Sequence, residues 1–374
     1  MVPRKKLDIG WADLGFGLAA CLLASRGNER QQQLERIWSP GGCALACLSV
    51  RSGFDLVLQQ LALPRGSEVL VSAITIRDMV NIMEHHGLVA VPLDLEPESC
   101  AVQTAALERA LTANTKALVV AHLFGNRMQM DDIAAFAQRH KLFLFEDCAQ
   151  AFAADGYRGH AGSNVVMFSF GTIKTASAGG GALLNFKSDV LRHATAAAQQ
   201  RYAVQQTAPF ARKLLKLALL KVLSSRLPYT LFVFLCRAFG KNHDAVISGA
   251  VRGFPGAELM RQLRRQPAAA LLALLERRLR RYTPAMLAPR MRAAATAMQN
   301  LPADLQAGTS AALHSHWVFP VRSERPDQLV CHLWRHGYDA TRGASSMYAV
   351  PAPDAAAPAT EANRLMAQIV YLPA

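Results

Sequence analysis

The sequence predicts an α/β fold: a large domain with a mainly parallel sheet and helices on both faces, followed by a smaller C-terminal α/β domain. Three observations lead there. Between residues 45 and 190, helical spacing alternates with short apolar runs, the βαβα rhythm of a parallel sheet covered by helices. Ala117–Leu123 is a continuous apolar run, as a strand buried on both faces requires. Breakers fall between these segments, at Pro64-Arg65-Gly66 and at Gly87.

The elements follow in order. Ser52–Leu63 has helical spacing, Glu68–Val71 reads as a short strand, and Ile76–His86 is a helix closed by Gly87. Val89–Leu93 is a strand, Thr104–Leu111 a helix, Ala117–Leu123 a strand, Asp131–His140 a helix and Leu142–Glu146 a buried strand. After residue 190 the pattern turns helical and basic. Phe210–Phe239 is unusually apolar, with Lys213, Lys216 and Lys221 interleaved, and Arg261–Arg281 reads as a basic helix pair. Trp317–Val321 looks like a strand, Gln328–His336 a helix closed by Gly337, and Ala349–Pro358 an Ala/Pro loop. Residues 1–250 are assigned to the large domain, with an N-terminal helical segment 1–40 and an insert at about 205–242. Residues 251–374 form the smaller domain.

Composition narrows the class. Of 374 residues, 51% are hydrophobic and 18% charged, which suits a packed core and excludes wholesale disorder. The net charge of +14 is local: no acidic residue lies between Asp189 and Asp244, and a second basic stretch runs from Arg252 to Arg292. These stretches lack aromatic interleaving and any reading motif, so nucleic acid is not the expected partner. Seven scattered cysteines without a CxxC pair argue against a disulfide framework and a zinc site, and favour the reducing cytoplasm. Arg4, Lys5 and Lys6 precede an apolar stretch, but Asp8 and Asp13 interrupt it, so an amphipathic helix is expected there rather than a signal peptide. No stretch approaches the roughly 20 apolar residues of a membrane span.

The chemistry concentrates between Glu146 and Gly181. Glu146-Asp147-Cys148-Ala149-Gln150-Ala151 follows the strand Leu142–Glu146 directly, and in a parallel sheet the crevice beyond the strand ends takes the ligand. Ser169-Phe170-Gly171-Thr172-Ile173-Lys174 comes next, then Gly179-Gly180-Gly181. A carboxylate at a strand end can pair with a ring nitrogen. A lysine of lowered pKa can form an imine, and a serine with glycine amides can hold a phosphate. A solvated lysine, a capping aspartate and turn glycines read the same residues equally well.

These motifs carry a resemblance. Leu48–Leu184 resembles the DegT/DnrJ/EryC1/StrS family of aminotransferases dependent on pyridoxal 5′-phosphate (PLP), which aminate nucleotide-linked keto-sugars. The match runs through Ser52-Gly53 opening a helix, Pro64–Thr75, Asn114–Gly125, "EDCAQAFAA" and "FSFGTIKTASAGGGA". Residues 253–292 and 316–373 resemble it more weakly. The resemblance implies a fold-type-I PLP transferase, a homodimer with sites at the interface, and transfer of an amino group from an amino acid, expected to be glutamate. The acceptor would be a keto or aldehyde group on a carrier-bound, sugar-type substrate. It implies that Lys174 is the Schiff-base lysine and proton carrier, and that Asp147 pairs with the pyridine nitrogen. Gln150 would lie against the ring, while Ser169 and the backbone of Ser52, Gly53 and Phe54 would bind the phosphate. Asp55, close to that phosphate, would have to point away. Arg342 is a candidate for the donor's carboxylate.

The sequence also departs from the family. Ile76 stands where an aromatic usually stacks, and the Gly-rich turn lacks its usual Glu. Arg252-Gly253-Phe254-Pro255-Gly256 replaces the interface motif, and the chain stops at Leu372-Pro373-Ala374 where relatives continue with a helix. A non-catalytic, membrane-associated homologue or another PLP reaction on this scaffold is therefore the alternative. His85-His86 and His314-x-His316 read as surface or loop histidines. On a helical wheel Arg212, Lys213, Lys216 and Lys221 share one half, opposite Leu215, Ala218 and Val222. The segment 210–239 could thus meet an anionic membrane face, the inner one for a cytoplasmic protein, or pack on a partner subunit with its basic face solvated.

Overall fold

The structure is a computed structural model describing residues 1–4, 6–23, 27–251, 254, 258–308, 313–343, 346–354 and 356–373. The chain opens with helices α1 (Trp11–Leu22) and α2 (Gly27–Trp38), then strand β1 (Ala44–Cys47) and helix α3 (Val50–Leu61). α3 forms because Ser49 caps it, accepting from the Ser52 N–H, and because Val50, Phe54, Val57 and Leu58 make one buried stripe. It starts two residues before the expected Ser52, since the cap is Ser49.

Next come β2 (Glu68–Ser72), β3 (Ile74–Ile76), α4 (Arg77–His85), β4 (Val89–Leu93), α5 (Thr104–Ala110) and β5 (Thr115–Ala121). They are followed by β6 (Asn126–Arg127), α6 (Asp131–Arg139), β7 (Phe143–Asp147), β8 (Val165–Ser169), β9 (Ala182–Phe186) and α7 (Asp189–Gln200). Seven strands make one sheet in the order β1-β9-β8-β7-β5-β2-β4. From β8 to β4 every neighbour is parallel, while β9 runs antiparallel to both β8 and β1. The sheet is therefore mainly parallel, as expected, with an antiparallel edge.

The segment expected as an insert, about 205–242, holds α8 (Thr207–Val222) and α9 (Arg226–Ala238), and α10 (His243–Val251) follows it. α8 buries Phe210, Leu214 and Leu217, spaced for one helical face. That face meets α1, which packs in turn on α12 (Ala269–Arg281), the helix after the short α11 (Leu259–Leu263). The approach is close at Gly17: a side chain there would meet Leu214 and Leu274 carbons at 2.9 Å. The wheel reading needs correction here. Lys213 is not on the solvated half but turns inward beside the buried stripe, while Leu215 and Leu219 face out. α8 and α9 are bent by 99°, and among the described residues no single helix is long and apolar enough to cross a membrane.

The C-terminal part holds α13 (Ala288–Gln299), β10 (Leu313–His314), β11 (Phe319–Arg322), α14 (Pro326–Arg335), β12 (Met347–Ala349), α15 (Thr360–Gln368) and β13 (Ile369–Leu372). β11 pairs with β13, while β12 pairs with β3 and β10 with β6, so this part is stitched onto the loops at the sheet's edge. A buried carboxylate, Asp339, binds the insert to both termini: it accepts from Arg4, Tyr229 and His243.

Candidate active site

The cavity at the carboxyl ends of β7 and β8 holds about 890 Å³. Lys174 and Ser169 line it, as do the Gly179–Gly181 turn, Ser49, Arg51, Ile76, Lys213 and Trp317. Burial pushes the Lys174 ammonium down to about 7, with Arg51 adding to that and Asp147 opposing it. Its nitrogen lies 3.8 Å from the centre of the Trp317 ring. The ring is fixed in turn by the Trp317 indole N–H donating to the Ile173 carbonyl at 2.7 Å.

Asp147 ends β7. Its carboxylate accepts from the Ala149 N–H at 2.9 Å, and burial pushes its pKa up while Lys174 and His122 pull it down. An amine that gives up its proton near neutrality thus faces a carboxyl held in place by backbone. This sets a nucleophile on the cavity wall next to a fixed carboxyl that acts on its charge.

The remaining expected residues divide. Gln150 is held at both ends, its carbonyl by the Phe124 N–H at 2.8 Å and its amide by Met347 sulfur at 3.5 Å, and it does not line the cavity. Ser52, Gly53 and Phe54 do not present their amides as expected. The Ser52 N–H goes to the Ser49 hydroxyl and the Gly53 N–H to the Ser49 carbonyl, because the helix begins earlier. The Phe54 ring is fully buried against Phe145. Gly53 is needed for packing, since a side chain there would meet Leu184 at 2.6 Å. The part of this terminus that lines the cavity is Ser49 and Arg51.

Asp55 points away, accepting from His86 at 2.9 Å and from Arg264 at 3.1 Å. Arg342 is also away from the site. It pairs at the surface with Asp327 and donates to the Ala367 carbonyl, so the structure does not join it to the others. His314 is buried in β10, and His316 is half-buried in the loop that follows it. Burial and Arg290 push them down to about 3 and about 4, and Arg290 itself donates to Ser315 and Thr175 beside Lys174. Most of the stretch 252–256 lies outside the described residues.

Sequence reasoning missed Trp317, Arg51 and Lys213. Only Arg51 carried a signal, standing directly before Ser52-Gly53. Trp317 and Lys213 reach the site through tertiary packing.

Beneath the floor, His122, Glu146 and Cys148 place possible ligand atoms within 4.8 Å of one another. These atoms are already engaged. Glu146 accepts from His122 at 3.0 Å, the His160 N–H at 2.8 Å, Ser163 at 2.7 Å and the Tyr157 hydroxyl. Despite burial these donors hold the carboxyl at about 2 against an ordinary 4.5. A carboxyl depressed on folding contributes stability above its ordinary pKa, and that contribution disappears as pH falls through the folded value. Glu146→Ala is expected to cost about 3–5 kcal/mol, because the donors stay buried without their acceptor. Thermal unfolding at pH 7 checks this. The gap between wild type and variant should narrow between pH 4.5 and 2. A gap that does not change with pH would remove the ionised carboxylate from the explanation.

Residues 39–213 match the model of the DegT/DnrJ/EryC1/StrS aminotransferase family. Over this segment the chain is similar to that family. It is 39% identical over 130 residues to the erythromycin biosynthesis sensory transduction protein EryC1 of Saccharopolyspora erythraea, covering 33% of this chain and 35% of that one. It is 32% identical over 151 residues to the GDP-perosamine synthase of Caulobacter vibrioides, covering 40% of each. The chain thus spans less than half the length of these curated relatives. Among solved structures, the aminotransferase TlmJ of Streptoalloteichus hindustanus superposes with a TM-score of 0.72 at 19% identity, over all of this chain and 93% of that one. The sugar aminotransferase CalS13 of Micromonospora echinospora gives 0.67 at 19% identity, over all of this chain and 94% of that one. The fold of the whole chain is therefore the one these aminotransferases share.

Proposed function

We propose that the chain is a PLP-dependent aminotransferase that moves an amino group from an amino acid, glutamate, to a keto or aldehyde carbon of a carrier-bound, sugar-type acceptor. The observation that carries this is the Lys174–Asp147 pair: a cavity-lining amine with its pKa near 7, facing a buried carboxyl. The residues present fit the cofactor, since the cavity offers an imine-forming amine and Ser169 with cationic side chains for a phosphate, and the strand-end carboxyl of Asp147 lies close enough to Lys174 to act on its charge. When bound, PLP supplies an electrophilic aldehyde carbon and an electron-accepting ring. Lys174 would hold that carbon and later carry a proton between donor and cofactor. Asp147 would keep the ring nitrogen protonated, and Ser169 would bind the phosphate. The similarity of residues 39–213 to the family and sugar-amine relatives such as the GDP-perosamine synthase support the sugar-type acceptor. The family resemblance supports a homodimer. The test is direct: protein mixed with PLP should develop a visible absorption band, and glutamate should bleach it with release of 2-oxoglutarate. Absence of the band would remove the reading.

A second element concerns location. The insert exposes Leu215, Leu219 and Val222 on α8, and Leu227, Leu231, Phe234 and Phe239 on α9, with Leu227 at 84% and Phe239 at 75% exposure. Arg212, Lys216, Lys221, Arg226 and Arg237 flank this apolar face, and no acidic residue interrupts it. We take this face to lie on the anionic inner surface of the membrane, with the body of the protein in the cytoplasm; its cysteines are all unpaired. Vesicles containing phosphatidylserine should then sediment the protein, and pure phosphatidylcholine should not. A Leu231→Glu/Phe234→Glu double change should lower partition about tenfold or more. Unchanged partition, with the double change instead breaking a dimer, would assign the face to a second copy of the chain.

A further inference from the structure

One cation of the apolar insert is turned into the cavity. Lys213 sits on α8 between Phe210 and Leu214, the residues that anchor the helix to the body of the protein. Its ammonium lies against the Gly-rich turn, 3.8 Å from the position a Gly180 side-chain carbon would take. It lines the same cavity as Ser49, Arg51, Ser169 and Lys174. Among the described residues no carboxylate or hydrogen-bond acceptor answers it. Its nearest charged neighbours are Arg51 and Lys216, both positive, and the carboxylates that line the cavity, Asp78 and Glu258, are paired with Arg51 and Arg261. Burial and these two cations push the ammonium down to about 8.

A partly buried cation beside a second cation is costly unless something anionic joins them. Three further features of this wall suit a phosphate: the Ser49 and Ser169 side chains, and the start of the twelve-residue helix α3, where Ser49 and Arg51 line the cavity. Lys174 is on the same cavity and takes the aldehyde in the reading above. A molecule with an aldehyde at one end and a phosphate at the other would therefore satisfy both lysines.

We propose that Lys213, delivered by the insert, is an anchor for the cofactor's 5′-phosphate. The inference rests on the PLP reading, but it can fail alone. It makes the insert part of the cofactor site, so that the same helix closes the cavity on one face and exposes Leu215 and Leu219 on the other. The Lys213 stem contributes packing and its nitrogen contributes charge, and Lys213→Met separates the two because it keeps the length and removes the charge.

The experiment compares PLP with pyridoxal, which has the aldehyde but no phosphate, by spectroscopic titration. Wild type is expected to prefer PLP strongly. Lys213→Met should weaken PLP by about 10- to 100-fold, the scale of one charge-assisted hydrogen bond, and leave pyridoxal unchanged. Lys213→Arg should restore most of the preference. Inorganic phosphate should raise the melting temperature of wild type and not of Lys213→Met. Equal PLP affinity in wild type and Lys213→Met overturns the proposal and leaves the PLP reading intact. So does a loss that falls equally on PLP and pyridoxal, which would show packing alone. Failure of wild type to bind either compound overturns both.

Discussion

Lys174→Ala should abolish the visible band of the PLP-treated protein and lower turnover about 10,000-fold or more, the upper range for losing a positioned proton carrier together with the covalent tether. At pH 7 a lysine with the ordinary pKa of 10.5 is neutral in roughly one molecule in three thousand. Lys174, pushed down to about 7, is neutral in about half. Burial supplies the reactive amine, and no neighbouring base is needed. The rate of cofactor capture should therefore rise with pH up to about 7 and level off above it, as a stopped-flow absorbance series would show. Stability should move the other way from activity. Below its ordinary pKa the buried ammonium costs folding free energy, so its removal should leave the melting temperature unchanged or raise it. A fall in both would mean that the variant had lost its fold. A persistent band in Lys174→Ala would move the imine to another lysine, with Lys213 as the neighbour on the same cavity.

The parallel part of the sheet was legible because β2, β4, β5 and β7 are short apolar runs between breakers, and their ends fell within two residues of expectation. The antiparallel edge β1–β9 was not legible: Ala44–Cys47 is four residues long and too brief for a period to emerge. Lys174, Asp147 and Ser169 were legible as motif positions; Lys174 and Ser169 line one cavity, and Asp147 acts electrostatically on Lys174. The Ser52 and Gly53 amides were expected to be open, and both are engaged by Ser49. A motif fixes which residues are near but not which amide the Ser49 cap has already consumed. Lys213 was assigned to the wrong face because a wheel averages over a helix, and α8 has two apolar stripes. Phe210-Leu214-Leu217 is buried and Leu215-Leu219-Val222 exposed, and only the docking partner α1 decides which turns inward. Trp317 reached Lys174 from 143 residues away in the chain, through the pairing of β10 with β6, which leaves no local trace.

Asp147→Asn should separate the two half-sites in opposite directions. Asparagine keeps the shape and can still accept the Ala149 N–H through its carbonyl oxygen, so the strand end should stay in place. The charge is lost. Asp147 is what raises Lys174 against burial, so without it the amine should titrate lower than about 7. Cofactor capture at pH 6 should then be faster in the variant than in wild type. Turnover should fall about a thousandfold, because a neutral amide cannot hold the proton on the ring nitrogen while charge develops there. Single-turnover absorbance gives the first rate and steady-state release of 2-oxoglutarate the second. A purely structural Asp147 would slow both and lower the melting temperature. Faster capture with collapsed turnover can only come from a carboxylate that acts on the lysine's proton and on the ring as separate charges. If turnover in Asp147→Asn stays near wild type, the ring-nitrogen role is wrong, and the carboxyl serves only to set the pKa of Lys174.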